Sequence, residues 1–170
     1  YKGGFVFEPK PGIYQNIVVF DFRSLYPSII SSHNISPSSL RCDCCKDKET
    51  VPGHESIWFC RNKKGLIPTL IEDLISRRSR VKEIIKQTKE KTKLTLLEAR
   101  SEALKVLANS FYGYLGFSSS RWYSIECAKS ITAYARYYIQ DVIKKAQKDN
   151  FSVIYSDTDS IAIELGRKNK

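Results

Sequence analysis

The sequence has no methionine, no internal repeat and no long apolar run. Without a stretch of about 18 apolar residues it cannot supply a membrane-spanning helix, and no segment resembles a signal peptide. We therefore expect a soluble, intracellular protein that does not act in a membrane. The missing methionine and the abrupt start at Tyr1-Lys2-Gly3-Gly4 predict a piece of a longer protein.

A regular zinc-finger spacing is also missing. Four of the five cysteines lie within nineteen positions, with His54 among them, but they do not form two CxxC pairs. Three states stay open: a structural zinc site, a disulfide such as Cys45 to Cys60, which would suggest a heat-adapted source, and free thiols as the default. The four cysteines are Cys42, Cys44, Cys45 and Cys60.

What the chain does have is positive charge and aromatic surface. Its 28 Lys and Arg exceed its 18 Asp and Glu, giving a net charge of +10, and it carries ten Tyr and eight Phe. Residues 61–105 alone hold thirteen Lys and Arg but only six Asp and Glu. Such an excess indicates a polyanionic partner, with nucleic acid ahead of a membrane surface.

Three aspartates are the candidate catalytic residues. Asp157 and Asp159 lie between an apolar run and an alternating run, a pattern that predicts a tight hairpin. Asp21 ends a second predicted strand, over 17–22. If the strands are neighbours, the carboxylates converge and require cations, for which Mg²⁺ is suited. Two such ions support nucleotidyl transfer. Taken alone, Asp-x-Asp is more often a simple turn.

Periodicity predicts four helices, over 27–32, from 67, over 95–112 and over 126–148. The third is expected to begin at the capping box Thr95-x-x-Glu98 and to end at Gly113. The second and third would form an antiparallel hairpin with a basic face. Residues 34–64 are expected to form an irregular excursion and 166–170 an unstructured tail.

Two local patterns indicate phosphate binding. The backbone between the first strand and the first helix is free to face an anion at Ser24, Leu25 and Tyr26. Side chains four residues apart share a helix face, and two such pairs combine cationic or amide groups. These pairs are Arg78 with Lys82 and Lys105 with Asn109.

Three segments resemble, in order, motifs A, B and C of the B-family (alpha-like) DNA polymerases. They are DFRSLYPSI at 21–29, KVLANSFYG at 105–113 and YSDTDS at 155–160. YKGG at 1–4 is similar to the Tyr-x-Gly-Gly element that joins the exonuclease and polymerase modules of that family. The sequences of these motifs are most similar to those of the archaeal members, and this resemblance implies a location in the cytoplasm or nucleoid of an archaeal cell.

The resemblance implies an α+β fold and a division of the chain. Residues 1–65 and 118–170 would form the palm, an antiparallel sheet with packed helices. Residues 66–117 would form the fingers, an inserted antiparallel helical hairpin. No exonuclease motif is found, and the family's thumb would follow motif C, so we expect a catalytic fragment that is weakly active alone.

The resemblance also implies roles for single residues. Asp21 and Asp159, helped by the Phe22 carbonyl, would hold two Mg²⁺ ions, and Asp157 would be a nearby acid with a lesser role. The Tyr26 ring would exclude a sugar 2′-hydroxyl. The implied nucleotide-binding residues are Ser24, Leu25, Tyr26, Arg78, Lys82, Lys105 and Asn109. The implied DNA-binding residues are Tyr1, Gly3, Gly4, Tyr112 and Gly113.

The implied function is template-directed DNA synthesis, by two-metal-ion transfer of deoxynucleotides to a primer 3′-hydroxyl. The implied partners are primer-template DNA, deoxynucleoside triphosphates, and exonuclease and thumb segments or subunits. Three alternatives stay open. They are a non-catalytic palm and fingers module that binds DNA or a partner, a palm enzyme that copies or makes RNA, and a zinc-stabilised nucleic-acid module built on the cysteines.

Overall fold

The computed structural model describes residues 2–46 and 49–165. In this part of the chain, four α-helices pack with one four-stranded antiparallel sheet, which confirms the expected α+β fold. The strands are β1 (Val6–Phe7), β2 (Ile17–Asp21), β3 (Ser152–Asp157) and β4 (Ser160–Glu164). The helices are α1 (Leu25–Ser32), α2 (Leu66–Gln87), α3 (Lys91–Gly116) and α4 (Ile125–Lys148), with a 3₁₀ turn at Asp43–Cys45. None of the described helices is long and apolar enough to span a bilayer.

The sheet brings distant parts of the chain together, in the order β1-β3-β4-β2. Its last row pairs Val6 with Asp157, Asp157 with Ser160, and Ser160 with Asp21. Directly opposed residues of antiparallel strands project to the same face, so Asp21 and Asp157 share one face. The predicted hairpin and its neighbouring strand are therefore confirmed, with β4 lying between β2 and β3.

Helix α4 connects two apolar clusters beneath this sheet. Ile131 is fully buried in one cluster with Ile30 of α1, and Ile139 is fully buried in the other with Ile161 and Ile163 of β4. The helical spacing predicted for 126–148 is confirmed. The same helix thus fixes α1 against the sheet, because its successive turns contact each of them.

The predicted start of α3 at a capping box is wrong. The helix begins at Lys91 instead, and the Leu94 N–H donates to the Glu90 carbonyl at 2.9 Å. Thr95 lies one turn inside, where its hydroxyl donates to the Lys91 carbonyl at 3.1 Å. Only residues 88–90 link α2 and α3. The polar residues just before Thr95, which the predicted helix start left in the link, are therefore helical.

The predicted end of α3 at Gly113 is also wrong. The helix continues to Gly116, and Gly113 lies on its exposed side. One turn of extra helix buries Leu115 completely, and the Leu115 carbonyl accepts a 3.0 Å hydrogen bond from the Ser124 N–H. This burial offsets the roughly 1 kcal/mol that glycine costs inside a helix.

Helix α1 begins two residues before the expected Pro27. Ser24 caps it in the left-handed conformation, at φ 54° and ψ 53°, and Pro27 occupies the first turn, where no N–H is needed. The bias of a residue before proline against helix was expected to hold Tyr26 outside. Tyr26 is helical because its neighbour Leu25 is buried and its own ring packs on Tyr112.

The amino-terminal segment is attached to α4 and to the hairpin. The Arg136 guanidinium donates to the carbonyls of Lys2 and Gly3 at 2.8 and 2.7 Å, and the Thr132 hydroxyl donates to Lys2 at 3.1 Å. Gly4 lies against the hairpin turn: a Cβ there would be 2.6 Å from Thr158 Oγ1. Tyr1 and residues 166–170, for which we also made predictions, lie outside the described residues.

Two glycine-to-alanine substitutions should have opposite effects on stability. Gly113→Ala should raise the free energy of unfolding by about 0.5–1 kcal/mol, because α3 is helical there and nothing lies within 4 Å of the added methyl. Gly4→Ala should lower it by about 1–3 kcal/mol, because the methyl overlaps the stiff Thr158 side chain. Urea unfolding midpoints measure both changes. Shifts of the same sign would contradict these placements.

Candidate active site

The turn of the β3-β4 hairpin is held from both sides. Its first residue, Thr158, has φ 52°, and the Asp159 N–H donates to the Asp157 carbonyl at 2.6 Å, which is a γ-turn. The Thr158 N–H donates to the Phe5 carbonyl at 2.8 Å, and the Phe22 N–H donates to the Asp159 carbonyl at 2.8 Å. The second bond joins the end of β2 to the turn, so the main chains beside Asp21 and Asp159 have a fixed relation.

The acids at this edge of the sheet have different environments. Burial is the main cause that raises the pKa of Asp159, and the charges of Asp21 and Asp157 raise it further. Asp157 is exposed and accepts hydrogen bonds from the Thr158 hydroxyl at 2.9 Å and the Tyr155 hydroxyl at 3.4 Å. Negative charge is therefore most costly at Asp159, where a cation would relieve it.

The oxygen donors at this edge suit a hard divalent cation. Asp21 and Asp159 line the same cavity as Phe22, and carboxylate and carbonyl oxygens are the ligands that Mg²⁺ takes in proteins. The mutual repulsion that raises the pKa of Asp159 supports this fit. Over 2–46 and 49–165, however, the three aspartates do not form a compact three-ligand cluster. The fit is therefore with the pair Asp21 and Asp159.

Helix α1 begins shortly after Phe22 in the chain. Ser24 is its N-cap and Leu25 its first residue, and the first N–H groups of any helix have no partner within that helix. Ser24, Leu25 and Tyr26 all line the cavity. The helix start therefore offers an anion-binding position next to the acids.

Cationic side chains from α2 and α3 form the facing wall. The charge of Arg78 is the main cause that lowers the pKa of Lys82, followed by burial and by the charges of Arg23 and Lys105. The Arg78 Nε is buried without a hydrogen-bond partner among the described residues. Lys105 contacts Glu102 at 3.2 Å, but that pair is exposed and contributes little. The wall repels itself and would be stabilised by an anion.

Aromatic rings close the remaining side of the cavity. The centroids of Tyr26 and Tyr112 are 4.7 Å apart, with their planes at 55°. Tyr26 belongs to α1 and Tyr112 to α3, so this contact joins two of the three helices that carry the anion-binding groups. Asn109, one turn before Tyr112 and Gly113, also lines the cavity.

These elements enclose one cavity of about 640 Å³. It brings together all the predicted metal-holding and nucleotide-binding residues, two of the three catalytic aspartates and one DNA-binding residue. The predicted residues that line it are Asp21, Phe22, Asp159, Ser24, Leu25, Tyr26, Arg78, Lys82, Lys105, Asn109 and Tyr112. The described candidates that do not line it are Asp157, Gly3, Gly4 and Gly113. Gly3 and Gly4 lie instead on the far side of the hairpin turn, next to α4 and Thr158.

Sequence reasoning missed two residues of this cavity, Arg23 and Thr158. Arg23 lies between Asp21 and Tyr26 in the predicted strand-to-helix connection, so its charge beside an expected anion site was an available signal. Thr158 gave no such signal, because its packing against Gly4 depends on the sheet order.

Comparisons with known proteins agree on one family. The model of DNA polymerase family B matches residues 1–170. A DNA polymerase of Thermococcus sp. (strain 9oN-7) is 47% identical over 164 residues, which cover 95% of this chain and 21% of the relative. DNA polymerase 1 of Pyrococcus abyssi is 44% identical over 163 residues, with 95% and 21% covered.

A solved structure agrees with these relatives. The family B DNA polymerase of the hyperthermophilic archaeon Pyrobaculum calidifontis superposes with a TM-score of 0.81 at 38% identity, covering 98% of this chain and 22% of that one. The chain thus spans about a fifth of the length of the relatives it matches. Because the family model matches residues 1–170 of this chain, the chain belongs to DNA polymerase family B.

Proposed function

We propose that this chain carries the catalytic centre for template-directed DNA synthesis, the transfer of deoxynucleotides to a primer 3′-hydroxyl. One observation supports this most: a single cavity is lined by acids on one wall, a helix start beside them, and cations on the facing wall. A metal-bound triphosphate has the matching distribution of charge. Family membership supports the same reaction class and a need for divalent metal.

We further propose that residues 1–65 and 118–170 act as the palm and 66–117 as the fingers. The acids stand on β2 and the β3-β4 turn, whereas the cations stand on the paired helices α2 and α3. Residues 88–90 link those helices. Near this link, Ile84 of α2 and Leu96 of α3 are exposed. A helical pair attached at one end can move its cations toward the acids as a nucleotide binds.

Asp21 and Asp159, with the Phe22 carbonyl, are the groups that would hold two Mg²⁺ ions. When bound, such ions favour ionisation of the primer hydroxyl and stabilise charge on the reacting phosphate. The N–H groups of Ser24 and Leu25 hold the triphosphate from one side. Arg78 and Lys82 hold it from the other side, where their positive charge also stabilises the departing pyrophosphate.

Asp157 has a supporting role in this proposal. It is exposed, lies outside the cavity lining, and accepts hydrogen bonds from neighbours in its own hairpin. Its charge still acts on Asp159, whose pKa it raises. Asp157 therefore favours cation binding at a distance.

DNA contacts follow from the same arrangement. Gly113 is exposed beside Tyr112, with open space around it, so a nascent base pair can approach the helix there. Gly3 and Gly4 continue the surface past the hairpin turn, where we place primer or template backbone, and Tyr1 would extend it. The net charge of +10 supplies sequence-independent affinity for phosphates. Such a function belongs in the cytoplasm or nucleoid of an archaeal cell.

One competing function has specific support. The chain spans about a fifth of its relatives, so it can also be a palm and fingers module that binds DNA or exonuclease and thumb partners without turning over alone. Both functions use the same cavity. Primer extension distinguishes them.

Asp159→Asn should lower primer extension by at least about 10²-fold, because it removes the charge that binds cation at the buried edge of the cavity. The assay uses primed DNA, deoxynucleotides and Mg²⁺ at low salt. Asp157→Asn should lower extension less, and Asp149→Asn, at the end of α4, should leave it unchanged. Extension by the unaltered chain that survives in Asp159→Asn would refute the catalytic assignment. No extension by any variant would favour the non-catalytic module.

Tripolyphosphate should raise the unfolding temperature of the chain without any metal, because it neutralises the cationic wall. Lys82→Gln should reduce that increase. Since a lowered pKa in the folded state means that protonated Lys82 opposes folding at neutral pH, the same substitution should stabilise the chain when no anion is present. The unfavourable contribution is fully present below that lowered pKa, falls as the pH rises from it toward the ordinary pKa of lysine, and is absent above both. Lys89→Gln, in the link after α2, is the control, and equal behaviour of both variants would contradict the assignment.

Tyr26→Ala should raise the use of ribonucleotides relative to deoxynucleotides by about tenfold or more, because the ring packed on Tyr112 would no longer occlude the 2′-hydroxyl position. Tyr26→Phe keeps the ring and should keep the discrimination. Competition between the two nucleotide types in single-nucleotide extension measures the ratio. An unchanged ratio in Tyr26→Ala would refute the role of Tyr26 in sugar discrimination.

A further inference from the structure

A second cluster of reactive side chains lies outside the cavity, in the excursion between α1 and α2. The Sγ atoms of Cys42, Cys44, Cys45 and Cys60 all lie within 4.8 Å of one another. Cys44 Sγ is 3.7 Å from Cys45 Sγ and 3.6 Å from Cys60 Sγ. In the described part of the chain, no other group of three or more His, Cys, Asp or Glu residues is close enough to hold one ion.

The sulfur separations match one tetrahedral metal ion. Four thiolates at about 2.3 Å from a zinc ion lie about 3.8 Å from each other, close to the two separations found here. A disulfide would need about 2.05 Å, and all four cysteines are free thiols. Of the three states that the sequence left open, the geometry favours the metal site. His54, which lies among these cysteines in the sequence, is not part of the cluster.

Backbone groups around the cluster favour negative charge on sulfur. The Arg61 N–H donates to Cys45 Sγ and the Lys63 N–H donates to Cys60 Sγ, both at 3.3 Å. Hydrogen bonds of this kind orient metal-bound thiolates and stabilise their charge.

Main-chain and side-chain contacts around the cluster bring the four sulfurs together. The 3₁₀ turn Asp43–Cys45 supplies two adjacent cysteines, and the Trp58 indole N–H donates to the Cys42 carbonyl at 2.9 Å. The Cys60 N–H donates to the Ser39 carbonyl at 2.8 Å. Cys45 and Cys60 are buried, while Cys44 is exposed, so an ion can enter from one side.

We propose that Cys42, Cys44, Cys45 and Cys60 bind one zinc ion as a structural tetrathiolate site. Four protein ligands leave no open position for substrate, so the site stabilises the excursion and takes no part in the chemistry. It is independent of the function proposed for the cavity.

The site has a direct path to the fingers helices. The Asn34 side-chain amide donates to the Cys60 carbonyl at 2.7 Å and to the Lys63 carbonyl at 2.9 Å, and its oxygen accepts from the Gly65 N–H at 2.7 Å. Gly65 is the N-cap of α2. Metal binding at Cys60 therefore stabilises the point where α2 leaves the palm.

Elemental analysis of the unaltered chain tests this proposal. The chain is expressed in medium with equal zinc and iron and purified under reducing conditions without chelators. We expect about one zinc per chain and no inorganic sulfide. Zinc should protect the four cluster cysteines from a thiol reagent. Under conditions that open the core but leave zinc bound, only Cys127, which lies outside the cluster, should react.

Two variants assign the metal to the cluster. Cys44→Ser removes the exposed ligand, which is the mildest change available, and should lower zinc affinity at least about tenfold in competition with a chromogenic chelator. Cys127→Ala removes the buried cysteine of α4 and should keep the zinc. Cobalt substitution supplies a second measurement, since a four-thiolate site gives intense visible bands that Cys44→Ser should weaken.

Three outcomes with the unaltered chain, and one with Cys44→Ser, would overturn the proposal. One is a folded, reduced chain with far less than stoichiometric metal and five reactive thiols. Another is iron with inorganic sulfide, which would indicate a cluster in place of a single ion. The last is a pair of disulfides that persists in the purified protein. Zinc retained equally by Cys44→Ser would remove Cys44 from the ligand set and overturn the four-ligand site.

Discussion

The candidate site depends on the hydrogen bond between the Phe22 N–H and the Asp159 carbonyl. It extends the pairing of β2 with β4 by one step, beyond the Asp21–Ser160 partners, into the hairpin turn. The same turn contains the γ-turn at Thr158, so its main chain is bonded both within the hairpin and to the end of β2. Two acids more than 130 positions apart in the chain are thereby fixed by main-chain bonds, which do not depend on side-chain rotamers.

The cavity separates opposite charges on elements that differ in how far their side chains are buried. The acids stand on sheet residues supported by Ile161 and Ile139, whereas the cations stand on a helical pair with few buried side chains. Each wall repels itself, as the shifted pKa values of Asp159 and Lys82 show. Neither wall neutralises the other, since no ion pair joins them among the described residues. A ligand that carries both cation and anion satisfies both walls at once.

The sequence was most informative where periodicity and burial agree. Helix α4 and the hairpin strands were predicted because their apolar spacing is the same spacing that packs against the core. The ends of α3 were not, because local signals at Thr95 and Gly113 are weaker than the burial of Leu115, which only the tertiary fold creates. The cavity set followed from motif resemblance and spacing. Thr158 and its contact with Gly4 required the sheet order, which no local pattern contains.

The cysteine cluster gives a physical reason for a long excursion between α1 and α2. The excursion ends at Gly65, which is the N-cap of α2 and the point where the helical pair α2 and α3 leaves the rest of the fold. A Cβ on Gly65 would be 2.6 Å from Ser36 Cβ, so the chain is packed closely there. Asn34 joins Gly65 to Cys60, and an ion pair of Lys64 with Glu72 continues the attachment into α2. The proposed zinc ion would therefore stabilise the start of α2, whereas the cations that line the cavity lie farther along α2 and α3.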